Sequence, residues 1–194
     1  MRQMIYWFLA VLLHVGALTG NDWKVEVRSA YFSPTMKELR NAYGSGWGEV
    51  HVQGCYRVCG PWEAWLDVGY GKRVGKHDLL IHAPKIRLYP IALGIRYLFP
   101  ICPGFQVFAS TGVVYGLLRE ILKGENYNHY HSKNAFGGML ELGGRYLFYD
   151  CFYLELFSSF RYLKFSAVHS SSAAVRHGVN FSGFLSGAGL GYTF

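Results

Sequence analysis

Gly189-Leu190-Gly191-Tyr192-Thr193-Phe194 closes the sequence, and two near-copies lie inside it, Gly94-Ile95-Arg96-Tyr97-Leu98-Phe99 and Gly143-Gly144-Arg145-Tyr146-Leu147-Phe148. All three keep Gly, Tyr and Phe in one order. Tyr and Phe stand two residues apart, so on an extended strand they share a face. Each internal copy leads into a short turn, Pro100 to Pro103 in one case and Tyr149-Asp150-Cys151 in the other. An alternating segment that ends on aromatics and then turns is the unit of a β-hairpin.

Working outward from these copies, eight alternating segments can be read. Trp23, Val25, Val27 and Tyr31 share a face opposite Lys24, Glu26 and Arg28; Val50, Val52, Tyr56 and Val58 oppose Glu49, His51, Gln53, Cys55 and Arg57. Trp62, Ala64, Leu66, Val68 and Tyr70 oppose Glu63, Trp65 and Asp67. Tyr89 to Phe99 sets its odd positions against Ala92, Gly94 and Arg96. The same alternation continues over Phe105–Gly116, Phe136–Phe148, Phe152–Tyr162 and Gly183–Phe194. Connections alternate in length: Cys59-Gly60-Pro61 and the two turns above are short, while 33–47, 71–86, 118–135 and 164–179 are long and polar.

Composition says where such strands can live. The sequence is 51% hydrophobic and 18% aromatic with 24 glycines, yet this apolar content is spread along its whole length. A helical membrane protein needs blocks of about 20 apolar residues. Thin, alternating apolarity instead fits strands with one face to lipid and one to a barrel interior. The fold expected is all-β, an eight-stranded antiparallel up-and-down transmembrane β-barrel with short periplasmic turns and long outer loops. A soluble ligand-binding barrel with the charged face turned to water is the alternative. Tyr56, Trp62, Tyr97, Phe99, Phe148, Phe152, Tyr192 and Phe194 would form the periplasmic aromatic girdle; Tyr31, Tyr70, Tyr89, Tyr115 and Tyr162 would form the outer one.

Arg2, the nine-residue apolar run Ile5 to Leu13, and the small residues Gly16, Ala17 and Gly20 read as a secretory signal peptide over 1–20. Residues 21–194 then form one barrel domain, which places the chain in the bacterial outer membrane.

Parity sets Lys24, Arg28, Arg57, Arg96, Arg145 and Arg161 inside, against Glu26, Glu49, Glu63, Asp67, Glu141 and Glu155. A charge taken from water needs a partner, so the matched set predicts a plugged network and no open pore. The glycines of the last strand are expected to make room for Trp65 and Phe157. Cys59, Cys102 and Cys151 fall in periplasmic turns with Cys55 nearby, and these four could pair within the chain or with other envelope proteins. No Cys-x-x-Cys pair exists, and His129-x-His131 reads as loop, so neither a metal nor another cofactor is expected. The long loops are basic (Lys37, Arg40, Lys72, Arg73, Lys76, Arg119, Lys123, Lys133, Lys164, Arg176) and rich in histidine. With a net charge of +7, they suit lipopolysaccharide phosphates or host polyanions; nucleic acid is no partner for such an address.

Over its mature length the chain resembles small outer-membrane barrels of the OmpA/OmpX/OmpW type. The resemblance is carried by Gly191, Tyr192 and Phe194, which match the assembly signal those proteins present to the barrel-insertion machinery. Cysteine-bearing barrels of this kind are typical of the disulfide-linked envelopes of chlamydia-like bacteria. Two further functions stay open beside a structural or surface-interaction role. His169-Ser170-Ser171-Ser172-Ala173 resembles the His-x-Ser-Asn-Ala motif of outer-membrane lipid A 3-O-deacylases, which implies His169 as base and Ser171 as nucleophile. Ser172 stands where that motif has Asn, and no carboxylate follows the serine. The other is a conduit for small apolar molecules through a lateral opening.

Overall fold

A computed structural model describes residues 22–75, 85–123, 128–149, 151–165 and 179–194. The strands are β1 (Trp23–Pro34), β2 (Trp47–Cys59), β3 (Trp62–Val74), β4 (Lys85–Cys102), β5 (Phe105–Lys123), β6 (Asn128–Phe148), β7 (Phe152–Phe165), β8 (Val179–Asn180) and β9 (Gly183–Thr193). A short helix, α1 (Lys37–Tyr43), follows β1. Strands neighbour one another in chain order and all pairs are antiparallel. β9 closes the ring by pairing with both β7 (Leu154↔Leu190) and β1 (Val27↔Leu190). The two-residue β8 pairs with the outer end of β7, so the closed barrel has eight strands.

Polarity is inverted relative to a soluble protein. Val27, Leu66, Val113, Leu140, Leu156 and Leu190 are exposed on the outer wall, whereas Glu26, Arg96, Arg145 and Glu155 are buried inside. Aromatic rings line the lower rim through Trp62–Tyr97 (4.8 Å), Tyr97–Phe99 (4.5 Å), Phe152–Tyr192 (5.0 Å) and Tyr192–Phe194 (5.0 Å). Tyr70–Tyr89 (5.4 Å) and Tyr115–Phe136 (4.8 Å) belong to the upper belt. The alternative of a water-facing exterior is incompatible with this arrangement.

Three tight turns join strands at the lower rim. Gly60 and Gly104 take φ of +51° and +81° there, and Tyr149 takes +56° without being glycine. Pro90 sits within β4, a place that usually tolerates no proline because a ladder N–H is lost. Its pairing with Gly116 of β5 holds. On the β3 side the ladder is interrupted between Val68↔Ile91 and Gly71↔Leu88 and resumes in the same register.

The long connections differ from expectation. Residues 33–47 include α1, whose Leu39 and Tyr43 are buried beside Phe32 and Trp47. Arg73 donates to the Tyr43 carbonyl at 2.7 Å and ties the helix to β3. Much of 118–135 is strand, because β5 and β6 stay paired from Phe105↔Tyr146 to Lys123↔Asn128. Apolar alternation fades outside the membrane, but hairpin hydrogen bonding does not depend on it. β6 pairs with β7 only from Gly137↔Leu163 downward, so among the described residues its upper part, Asn128 to Phe136, is paired with β5 alone.

Candidate functional site

The interior has two layers. Toward the loops it is apolar, filled by Phe32, Trp47, Ile86, Leu88, Val114, Leu118, Leu163, Phe165, Phe181 and Leu185. The strands supply these from the same inward parity that carries charges lower down. Sequence parity sets the charges, the small residues, Trp65 and Phe157 inside, but does not show this upper apolar plug.

The lower layer is ionic. Arg28 donates to Gln53 (2.5 Å) and Glu141 (2.7 Å), and lies 3.2 Å from Glu155. Arg96 reaches from β4 to Glu26 on β1 (3.2 Å), Glu141 on β6 (3.1 Å) and Glu155 on β7 (3.1 Å). Arg145 meets Glu26 (2.8 Å), Glu155 (3.2 Å) and Glu63 (3.5 Å), and Lys24 also binds Glu63. Arg161 grips Glu49 through two donors, each at 2.9 Å. Such two-pronged Arg–carboxylate pairing is the strongest form of this contact.

Each buried guanidinium also faces a ring: Arg28 over Phe157 (3.6 Å), Arg96 over Phe108 (4.1 Å), Arg145 over Tyr153 (4.2 Å) and Arg161 over Phe32 (4.6 Å). Cations stacked on aromatics lose less on leaving water. The glycines explain how these rings fit. A Cβ at Gly187 would lie 2.9 Å from Phe157, one at Gly189 2.9 Å from Arg28, and one at Gly191 inside the Tyr153 ring. Trp65 is seated differently from expectation. Gly94 and Gly112, on β4 and β5, leave its space, where a Cβ would approach the indole to 2.5 Å and 2.7 Å.

Of the twelve interior charges read from the sequence, the structure gathers eleven: Lys24, Glu26, Arg28, Glu49, Glu63, Asp67, Arg96, Glu141, Arg145, Glu155 and Arg161 are buried. Arg57 is not among them. The β2–β3 register shifts between Arg57 and Cys59 at the rim, and the side chain is exposed. Its place opposite the acids is taken by His51, whose Nδ1 lies 2.8 Å from Asp67 and whose Nε2 lies 3.4 Å from Glu49. Nothing in a lone strand histidine marks it as a network member before the register is known.

The cysteines also divide. Cys59 and Cys102 are exposed and Cys151 half-buried, but Cys55 is buried in the lumen, 3.6 Å from Glu26, and cannot reach another chain. All four are free thiols in this structure. Tyr192 points outward within the girdle while the Phe194 amide donates to the Trp23 carbonyl at 3.0 Å. His169 and Ser171 lie outside the described residues. Among the described residues no cluster of His, Cys, Asp and Glu has the arrangement of a metal site.

A closed eight-stranded barrel with aliphatic walls, aromatic belts and a charged lumen defines the class: a transmembrane β-barrel of the bacterial outer membrane. No protein-family model matches the chain, and no characterised protein matches it in sequence. Solved structures do match in fold. The outer-membrane protein OprG of Pseudomonas aeruginosa is 15% identical, with 90% of this chain and 96% of that chain covered and a TM-score of 0.65. Neisserial surface protein A is 15% identical over 89% of this chain and 97% of its own, with a TM-score of 0.61. Ail of Yersinia pestis, solved with the heparin analogue sucrose octasulfate, is 11% identical over 89% and 97%, with a TM-score of 0.52.

Proposed function

We propose that this chain is a sealed outer-membrane barrel whose work is structural and surface-directed rather than catalytic. The observation that carries the reading is Arg96, fully buried and bonded at once to carboxylates from β1, β6 and β7. A side chain tied across the lumen in three directions leaves no water path, and eight strands enclose only enough space for side chains. The apolar plug and α1 close the outer end above it. The outer end then offers basic groups such as Lys37 and Arg40 to the surroundings. A polyanion suits them, as sucrose octasulfate does in the similarly folded Ail. Gly191, Tyr192 and Phe194 would be read by the barrel-insertion machinery, and lipopolysaccharide is the surrounding lipid. Cys59, Cys102 and Cys151 would be the residues that link to envelope partners in the oxidising periplasm, a reading supported by their lying outside the buried lumen.

Planar-bilayer recording of the purified full chain tests the reading. A sealed lumen gives no conductance steps, and reproducible steps would overturn it. Mass spectrometry of lipid A incubated with the protein is the companion measurement. Loss of one 3-linked acyl chain would make the chain a deacylase acting through His169 and Ser171.

A further inference from the structure

Several cations assigned to loops by the sequence stand on strands instead, and two of them, Lys72 and Arg119, face outward in one row with Arg87 between them. Lys72 of β3 is directly opposite Arg87 of β4, and Arg87 directly opposite Arg119 of β5. Parity turns all three away from the lumen, since Gly71, Leu88 and Leu118 beside them are the inward residues. Strands lie about 4.8 Å apart, so the row spans roughly 10 Å. Like charges placed directly across a ladder destabilise it, and nothing within the described chain offsets them. Glu26, Glu49, Glu63, Asp67, Glu120, Glu141 and Glu155, the carboxylates on the described strands, all occupy inward parity. Among the described residues none of the three cations has a carboxylate partner, and Arg87 keeps a buried Nε with no hydrogen-bond partner.

The row sits immediately above the upper aromatic belt. Tyr70 precedes Lys72 by two on the same face, Tyr89 follows Arg87 by two, and Arg119 lies 6.0 Å over the Tyr89 ring. Aromatic belts mark the headgroup level, so the row meets the plane where lipid phosphates lie. From this we infer that Lys72, Arg87 and Arg119 form a wall-mounted site for the phosphate headgroup of an outer-leaflet lipid. Two guanidiniums supply forked donors and the lysine a compact charge, the mixture that suits phosphate oxygens. The inference rests on the long-loop end facing outward, as in the proposed function.

The test uses full-length protein in phosphatidylcholine nanodiscs, folded state verified by heat-modifiable electrophoretic mobility. The discs are doped with bisphosphorylated lipid A or with the same lipid A stripped of its phosphates. Lipid retained per protein is counted by native mass spectrometry. Each cation near a charged membrane surface contributes roughly fivefold, so the phosphorylated lipid should be retained more than tenfold better. The triple variant K72Q/R87Q/R119Q should lose that preference, while K164Q, on β7 and away from the row, should keep it. Equal retention of both lipids by the wild type would overturn the inference, as would a preference that survives in the triple variant. Displacement of the lipid by millimolar inorganic phosphate would also overturn it, by revealing a soluble-anion site. A conducting barrel that still prefers the phosphorylated lipid would refute the sealed lumen and leave this site standing.

Discussion

Replacing Arg96 with methionine separates a structural network from a decorative one. Methionine keeps an unbranched stem against Phe108 and removes the charge, so the perturbation is chiefly electrostatic. Three carboxylates each lose a partner at 3.1–3.2 Å. Each retains another: Glu26 keeps Arg145 at 2.8 Å, Glu141 keeps Arg28 at 2.7 Å, and Glu155 keeps Arg28 and Arg145 at 3.2 Å. Removing one member of a buried ion network costs about 3–5 kcal/mol, and these surviving contacts set the expectation near 3. With a urea slope of about 1–3 kcal/mol/M, the unfolding midpoint in lipid vesicles should fall by roughly 1–3 M, followed by tryptophan fluorescence. Adding Glu155→Gln removes the surplus negative charge, so the double variant should be more stable than the sum of single effects by about 1–3 kcal/mol. A loss below about 1 kcal/mol for Arg96→Met, or strict additivity with Glu155→Gln, would refute the view that this network holds the lumen closed.

Other consequences are as readily measured. A maleimide applied to the folded, reduced protein should label Cys59, Cys102 and Cys151 and spare Cys55 until denaturant opens the barrel; mass spectrometry gives the count, and early labelling of Cys55 would mean a wet lumen. Gly112→Val should destabilise by at least about 1–3 kcal/mol through overpacking against Trp65. Gly54→Ala, where a Cβ meets nothing within 4 Å, should leave the urea midpoint unchanged. Burial, helped by the nearby Glu120 carboxylate, pushes the Tyr43 phenol above its usual range. Its protonated form therefore favours the closed cap, and that contribution is lost as pH rises past the ordinary tyrosine value of about 10. Ultraviolet titration should show Tyr43 ionising later than the exposed tyrosines, and Tyr43→Phe should shrink the late step by one tyrosine, leaving that of the lumenal Tyr153, which is buried and bonded to Glu26.

How much was legible follows from which forces act locally. Strand parity is imposed residue by residue by lipid, so Val27, Leu66 and Leu190 announce their face, and Glu26 and Arg145 theirs. Closure of the ring was equally readable, because turn lengths alternate. Three things were not. His51 joins the network only once β2 and β3 are in register, which a single strand does not encode. Arg57 keeps inward register opposite Glu63 but is exposed at the end of the regular β2–β3 ladder, a position that alternation alone does not reveal. The apolar plug was hidden because Leu88, Leu118 and Leu163 sit next to outward apolar residues, and a stretch apolar on both faces has no parity to read. The same ambiguity led the cations Lys72 and Arg119 to be read as loop residues. Water tolerates either face above the belt, so only the backbone ladder reveals that they stand on a wall.

The tall hairpin gives the molecule a profile as well as a charge. Asn128 to Phe136 of β6 run above the last pairing with β7, roughly 30 Å of extended chain. At the usual strand tilt of about 45° this is on the order of 20 Å of height. Among the described residues this stretch is a wall carried by β5 and β6 that β7 does not extend. Shortening the hairpin would change the directions from which a large ligand can reach the mouth, without touching a single residue of the barrel beneath.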